Sequence, residues 1–148
     1  MGKIQESPLP DTAFWRAYQG RFSGLLNWDE VDAFWRALAG DAEGWFLFEP
    51  EGAAPEKPLS ANALREFLAE AAALVNSRRE RSHSGAVYVD DAEKPRMIKI
   101  FDPANMGAAC AVSNRRTYPK WVLSRVPPEA LPQPEPPARK GWRFGRRG

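Results

Sequence analysis

The sequence has one cysteine, Cys110, and one histidine, His83, among its 148 residues. A single cysteine excludes a disulfide within the chain and any metal site built from cysteines alone. One imidazole with scattered carboxylates forms no recognisable zinc or iron site, and no glycine-rich phosphate loop follows a strand pattern. We therefore expect no metal and no cofactor, and the absence of a catalytic motif weighs against an enzyme.

Long apolar runs are also missing. No stretch approaches the ~20 residues that a membrane-spanning helix needs. The first six residues, MGKIQE, lack the apolar segment of a signal peptide, and Glu6 stands where a myristoylation signal requires Ser or Thr. Together with the single cysteine, these absences predict a cytoplasmic protein without membrane association.

The most strongly patterned stretch is Ser84–Cys110, which contains two runs with a period of two and β-branched residues on one face. Residues 85–90 and 96–101 are predicted to pair as a β-hairpin, because a polar loop ending in Pro95 separates them. One face of this hairpin is β-branched and should point into the core: Val87, Val89, Ile98 and Ile100. The other face is mixed, and is either covered by a helix or offered to a partner: Tyr88, Met97, Lys99 and Phe101.

Three helices are indicated by apolar spacing and by capping residues. The first should follow Asp11 and stop at Gly20, the second should run from Asn27 to Gly40, and the third should begin at Ser60 or Asn62 and end near residue 76. The segment AFWRA occurs at 13–17 and again at 33–37. Aromatic residues at helical spacing usually pack inward, so we expect a core role. The alternative is a pair of Trp/Arg stacks that form a recognition surface.

These elements predict one α+β domain with a three- or four-stranded, mainly antiparallel sheet and three helices packed chiefly on one face. The strands are expected at residues 44–49, 85–90, 96–101 and 120–126. Residues 1–8 are predicted to be a flexible N-terminus, 9–126 the domain, and 127–148 a proline-rich linker with a basic tail. Six of the 14 prolines lie between Pro127 and Pro137.

Charge is distributed unevenly along the chain. Residues 1–110 contain 12 Lys/Arg and 17 Asp/Glu, a net charge of −5, whereas residues 111–148 contain 9 and 2, a net charge of +7. Such a split indicates an electrostatic role for the C-terminal quarter. The tail either contacts a separate acidic partner or lies across the acidic half of its own chain.

The end of the tail interleaves positive charges with two aromatic residues and glycines. This composition suits an acidic protein surface, with the aromatics as anchors and the arginines as rim charges. It also suits RNA or single-stranded nucleic acid, since aromatics stack on bases while cations follow the phosphates. A purely solvating tail is the third interpretation. The predicted partner-binding residues are Arg139, Lys140, Trp142, Arg143, Phe144, Arg146 and Arg147. We predict a non-catalytic accessory or adaptor protein with an acidic protein partner, and nucleic acid as the alternative.

A cysteine-dependent enzyme is the competing functional class. Cys110 would be the nucleophile, His83 the base, and Asp102 or Asn105 the orienting group. His83 precedes the first hairpin strand and Cys110 follows the second, so an antiparallel hairpin allows them to meet. No motif requires this arrangement, and a buried thiol with a surface histidine is the simpler expectation. These four residues form a possible secondary site.

Overall fold

Three α-helices, five strands and one 3₁₀ turn occur in residues 8–105 and 117–132, the parts of the chain that the computed structural model describes. In chain order they are α1 Ala13–Tyr18, β1 Ser23–Gly24, α2 Trp28–Ala39, β2 Phe46–Phe48, α3 Ala61–Asn76, β3 Val87–Val89, β4 Met97–Ile100, the turn Pro103–Asn105 and β5 Trp121–Ser124. The α+β class is confirmed.

Capping side chains fix the starts of the two long helices. The Asn27 side-chain oxygen accepts a hydrogen bond from the Asp29 amide at 2.8 Å, and the Ser60 hydroxyl accepts one from the Ala63 amide at 3.1 Å. The predicted caps of α2 and α3 are therefore confirmed, with Ser60 rather than Asn62 beginning α3. Helix α1 begins one residue later than predicted, because Thr12 is its N-cap residue and Asp11 pairs with Arg16 instead.

The sheet is antiparallel throughout, with the strand order β1-β3-β4-β5-β2. The four predicted strands are all present, each shorter than predicted. The strand count of three or four was too low, because β1 adds a fifth strand at the edge. Strand β1 contains only Ser23 and Gly24, which pair with Val89 and Tyr88. Two small residues carry no alternation, so only the pairing with β3 defines this strand.

The main core lies on the sheet face covered by α2 and α3, here called the α2/α3 face. The predicted β-branched residues of the hairpin all point into it and are fully buried: Val87, Val89, Ile98 and Ile100. Trp121 and Leu123 of β5 extend the same face, and Phe67 of α3 packs edge-on against the Trp121 ring at 4.9 Å. Apolar alternation in the sequence therefore located the main core correctly.

Helix α1 packs on the opposite sheet face, here called the α1 face. Its Phe14, Trp15 and Tyr18 form a second apolar cluster with Phe48, Met97 and Val122 of the strands. The three helices were expected chiefly on one face, whereas the structure divides them two and one. The Phe/Trp pairs of both AFWRA segments are buried, which confirms the core interpretation of the repeat.

Residues beyond β5 continue to contact the α1 face. The Trp15 indole Nε1 donates a hydrogen bond to the Glu129 carbonyl at 2.8 Å, Pro128 is buried, and Leu131 packs against the second cluster. The contacts of the domain thus extend past Val126, the predicted boundary. The remainder of the predicted tail, 133–148, lies outside the described residues, as does most of the predicted N-terminus.

Candidate binding cleft around Lys99

One cross-strand row on the α1 face places a lysine at the centre of the sheet. The register aligns Phe48 of β2, Val122 of β5, Lys99 of β4, Tyr88 of β3 and Gly24 of β1. Phe48 and Val122 are almost completely buried. Lys99 is therefore the only charged member of a row whose other members are apolar, aromatic or glycine, in a position where packing alone favours an apolar side chain.

Helix α1 is too short to cover this face. Its six residues extend ~9 Å, whereas five strands spaced ~4.8 Å apart are ~20 Å wide. Beyond the end of α1 the face opens into a cleft with a volume of about 760 Å³. The cleft is lined by Phe22, Glu49, Pro50, Glu51, Gly52, Tyr88, Lys99, Phe101, Asp102, Thr117, Tyr118, Pro119 and Lys120.

Two aromatic rings hold the Lys99 ammonium at the base of the cleft. Its Nζ lies 4.0 Å from the ring centroid of Tyr18 and 4.0 Å from that of Phe22. This distance is within the range of cation–π attraction. Burial removes water from the amine and lowers the pKa of Lys99 from 10.5 to about 8. Charged and neutral amine are consequently both present at mildly alkaline pH.

Lys99 has no counter-ion within the described ranges. The ion pairs there join Arg16 to Asp11, Arg79 to Asp32 and Arg125 to Asp41, and Lys99 belongs to none of them. Glu49, Glu51 and Asp102 line the cleft, but none is within ion-pair distance of the Lys99 amine. A half-buried cation without a carboxylate partner is well placed to receive an anionic group from outside the domain.

The aromatic side of the cleft is built around Tyr88. Its ring meets Phe101 edge-on at 5.6 Å, and it lies over Gly24 of the neighbouring strand. A Cβ added to Gly24 would come within 3.0 Å of the Tyr88 ring. Glycine in β1 therefore gives the ring its space on the sheet. These two rings give an aromatic lining to the same cleft that Lys99 lines.

The predicted secondary site is only partly assembled by the described residues. Asp102 lines the cleft, and its carboxylate also accepts a hydrogen bond from the Ala104 amide at 2.9 Å. Asn105 ends the 3₁₀ turn. His83 is exposed, lies 3.1 Å from the Ser82 hydroxyl through its Nδ1, and does not line the cleft. Cys110 is outside the described residues, so no observed contact favours the cysteine-dependent enzyme.

Arg79, which follows α3, is held by contacts within the domain. Arg79 makes two hydrogen bonds to the Asp32 carboxylate, at 2.9 and 2.8 Å, and its guanidinium lies 5.0 Å from the Trp28 ring centroid. The hydrogen bond from Arg79 lowers the pKa of Asp32, and the same bond raises that of Arg79. This pair connects α3 to α2 and leaves the cleft as the stronger candidate site.

The described residues place few further constraints on the function of the chain. No group of three or more His, Cys, Asp or Glu side chains in those residues could hold a metal ion. No helix in the same residues is both long and apolar enough to cross a membrane. Comparison with protein-family models, curated proteins and solved structures finds no match. The cleft therefore has to be interpreted from its own chemistry.

The sequence pattern predicted which residues share a sheet face with Lys99, but it did not predict which residues surround the Lys99 amine. Alternation placed Tyr88, Lys99 and Phe101 together, and all three line the cleft. It could not identify Tyr18 and Phe22, which approach Lys99 from a distant part of the chain. The available signal was the lysine itself, since a central strand of a covered sheet rarely carries a charge. The predicted tail residues, Arg139 to Arg147, lie outside the described residues.

Proposed function

We propose that this chain is a non-catalytic, cytoplasmic accessory protein that binds an acidic protein partner. The cleft around Lys99 receives an acidic side chain of the partner together with a neighbouring apolar or aromatic one. The basic tail, whose charges are Arg139, Lys140, Arg143, Arg146 and Arg147, makes a second contact with the same acidic surface. The domain contributes selectivity and the tail contributes long-range attraction.

The observation that carries this proposal is a Lys99 ammonium that has no counter-ion among the described residues and lies in an open, aromatic-lined cleft. An incoming carboxylate would supply the missing counter-ion in surroundings from which water is partly removed, where such pairs are stronger than at the surface. Tyr88 and Phe101 lie beside it and offer contact area to an apolar group. Lys120, also on the cleft, adds a second positive charge at its exposed rim.

Binding of a fluorescent model peptide tests the proposal. The peptide alternates Asp or Glu with Phe, and its affinity is measured by fluorescence anisotropy. Lys99→Met retains a chain of similar length without the charge and should weaken binding about tenfold, consistent with a charge-assisted hydrogen bond worth ~1.5 kcal/mol. Lys94→Met is the matched control, because Lys94 is exposed in the hairpin loop at the opposite end of the strands.

The salt dependence of binding separates the contribution of the tail from that of the cleft. Deletion of Ala138–Gly148 should leave the Lys99-dependent part of the affinity in place and reduce the dependence of log affinity on log salt concentration. Equal affinities for wild type, Lys99→Met and Lys94→Met would contradict the role of the cleft. A salt dependence unchanged by the deletion would contradict the role of the tail.

Nucleic acid binding by the tail is the second candidate function. The observation in its favour is the interleaving of Trp142 and Phe144 with five positive charges. A labelled single-stranded oligonucleotide distinguishes the two: tail deletion should abolish its binding, while Lys99→Met should leave it unchanged. Tight oligonucleotide binding with no peptide binding would favour this second function over the first.

A further inference from the structure

The Lys99 amine combines three features that rarely occur together in a surface lysine. It lies in the middle of the sheet, it faces an open cleft of about 760 Å³, and it has no carboxylate partner in the described residues. A carboxylate partner would hold the amine in its charged form, which has no lone pair for attack. The Tyr18 and Phe22 rings at 4.0 Å also favour the ammonium, but more weakly than a carboxylate would, so part of the amine remains neutral and available as a nucleophile.

We infer that Lys99 captures small aldehydes, binding an aryl aldehyde with an acidic substituent in the cleft and condensing with its carbonyl group. The nitrogen lone pair forms the new bond to the carbonyl carbon, and the C=O π electrons move to the oxygen. That oxygen leaves as water after taking two protons, both of which come from the amine nitrogen in the net reaction. The product is an imine, and no oxidant or reductant is needed. This activity goes beyond partner binding and does not depend on it.

The aldehyde class follows from the surroundings of the amine. The rings of Tyr88 and Phe101 meet edge-on beside Lys99 and offer a surface for an aryl group. Lys120 at the exposed rim suits an acidic substituent on that group. A small planar aldehyde fits readily in a cleft of this volume.

Ionisation favours the reaction near neutral pH. With a pKa of about 8, roughly one-tenth of the Lys99 amine is neutral at pH 7, against less than one-thousandth for an ordinary lysine. Titratable groups from every neighbouring element contact Lys99 or line its cleft. They are Tyr18 of α1, Glu49 and Glu51 after β2, Tyr88 of β3, Asp102 after β4, and Tyr118 and Lys120 before β5. Because lower basicity also reduces intrinsic nucleophilicity, the net gain in rate should be about tenfold.

Reductive trapping tests this inference on the full-length chain. The protein is incubated with 4-formylbenzoate and cyanoborohydride at pH 7, and peptide mapping by mass spectrometry gives the labelling rate of each lysine. Lys99 should be labelled about tenfold faster than the exposed Lys57 and Lys94 in the same sample. This internal comparison needs no variant, so misfolding cannot imitate the result. A rate at Lys99 no higher than at Lys57 and Lys94 would overturn the inference.

Two variants and a second aldehyde complete the test. Lys99→Arg retains the positive charge but cannot form the imine, so fast labelling should disappear while the slow sites remain. Lys120→Arg retains the rim charge and should retain fast labelling of Lys99. Benzaldehyde, which lacks the acidic group, should label Lys99 more slowly than 4-formylbenzoate. Equal rates for the two aldehydes would overturn the preference for an acidic substituent, and fast labelling that persists in Lys99→Arg would overturn the assignment to Lys99.

Discussion

At the scale of single residues, Lys99 illustrates how a sheet accommodates a charge that no carboxylate in the described part of the chain neutralises. Partial loss of hydration disfavours the ammonium. The Tyr18 and Phe22 rings, each 4.0 Å from the amine, offset part of this penalty through cation–π attraction. Desolvation by burial lowers the pKa of Lys99 to about 8. The domain therefore holds this lysine at a cost in stability, which favours a functional explanation over a packing one.

Replacing Lys99 with methionine should stabilise the folded domain at neutral pH. The folded-state pKa of about 8 lies below the ordinary 10.5, so the unfolded chain binds more protons between these values. Stability of the wild type should therefore rise as pH increases from about 8 to 10.5, and the cost is fully present below pH 8. We expect Lys99→Met to raise the free energy of unfolding by ~1 kcal/mol at pH 7. This gain is smaller than the pKa shift of Lys99 alone implies, because solvent and the two rings still contact the amine.

Urea denaturation of both proteins at pH 7 and pH 10.5 measures this effect. The difference in free energy of unfolding between wild type and Lys99→Met should be smaller at the higher pH, where the wild-type amine is already neutral. The effects of the other titrating groups are common to both proteins and cancel in this difference. Loss of stability at pH 7 in Lys99→Met would show that the cation–π contacts exceed the cost of desolvation.

Affinity for an acidic peptide should also follow the charge of Lys99. A bound carboxylate favours the ammonium, so binding should raise the pKa of Lys99 above its free value of about 8 and take up protons near that pH. Affinity measured by anisotropy should consequently fall as pH rises through about 8. In Lys99→Met the same pH series should be flatter, and identical profiles for the two proteins would argue against a carboxylate at this amine.

At the scale of elements, the parts of the fold that follow local rules were predictable. Alternating β-branched residues placed Val87, Val89, Ile98 and Ile100 in the core, and Asn27 fixed the start of α2. Strand β1 was not predictable, because two residues have no period and form a strand only by pairing with β3. The side on which α1 packs depends on long-range contacts of Trp15 with Phe48 and with Glu129, which no local pattern encodes.

Gly44 connects α2 to β2 in a backbone conformation that favours glycine. Its φ is +87°, and an added Cβ would lie 2.9 Å from an Arg125 guanidinium nitrogen, Nη1. That guanidinium donates to the Glu43 carbonyl and pairs with Asp41, so it cannot move freely. Gly44→Ala should therefore destabilise the domain by more than ~1 kcal/mol.

Gly40, the C-cap of α2, is the matched control for that substitution. Its φ is −82°, and an added Cβ would meet nothing closer than 3.6 Å. Gly40→Ala should be neutral or slightly stabilising, since alanine restricts the unfolded chain more than glycine does. Thermal or urea denaturation compares the pair, and equal effects at the two positions would contradict the strain assigned to Gly44.

At the scale of the whole molecule, the segment after β5 completes the α1 face. Truncation after Val126 would remove buried Pro128, the Glu129 carbonyl that accepts from Trp15, and Leu131. A buried indole N–H without a partner costs ~1–3 kcal/mol, and lost apolar burial adds to this. Truncation after Pro132 preserves all three contacts.

The two truncated chains should consequently differ in stability. We expect the chain ending at Pro132 to unfold at nearly the same urea concentration as the full chain, and the chain ending at Val126 to lose ~3 kcal/mol. Near-UV circular dichroism of the Trp15 environment provides an independent measurement. Equal stabilities of the two truncated chains would show that residues 127–132 add nothing to the domain.

The hydrogen bond from Trp15 to Glu129 also holds the last described residues of the chain against the domain. Leu131 packs on the α1 face, the same sheet face that opens into the cleft. Six residues lie between Pro132 and Arg139, and the seven Cα–Cα steps between the two span at most ~25 Å. Under the proposed function, cleft and tail are a tethered pair, in which binding at one site would raise the effective concentration of the partner's acidic surface at the other. The proposed function therefore favours a partner that carries two acidic segments, one for the cleft and one for the tail.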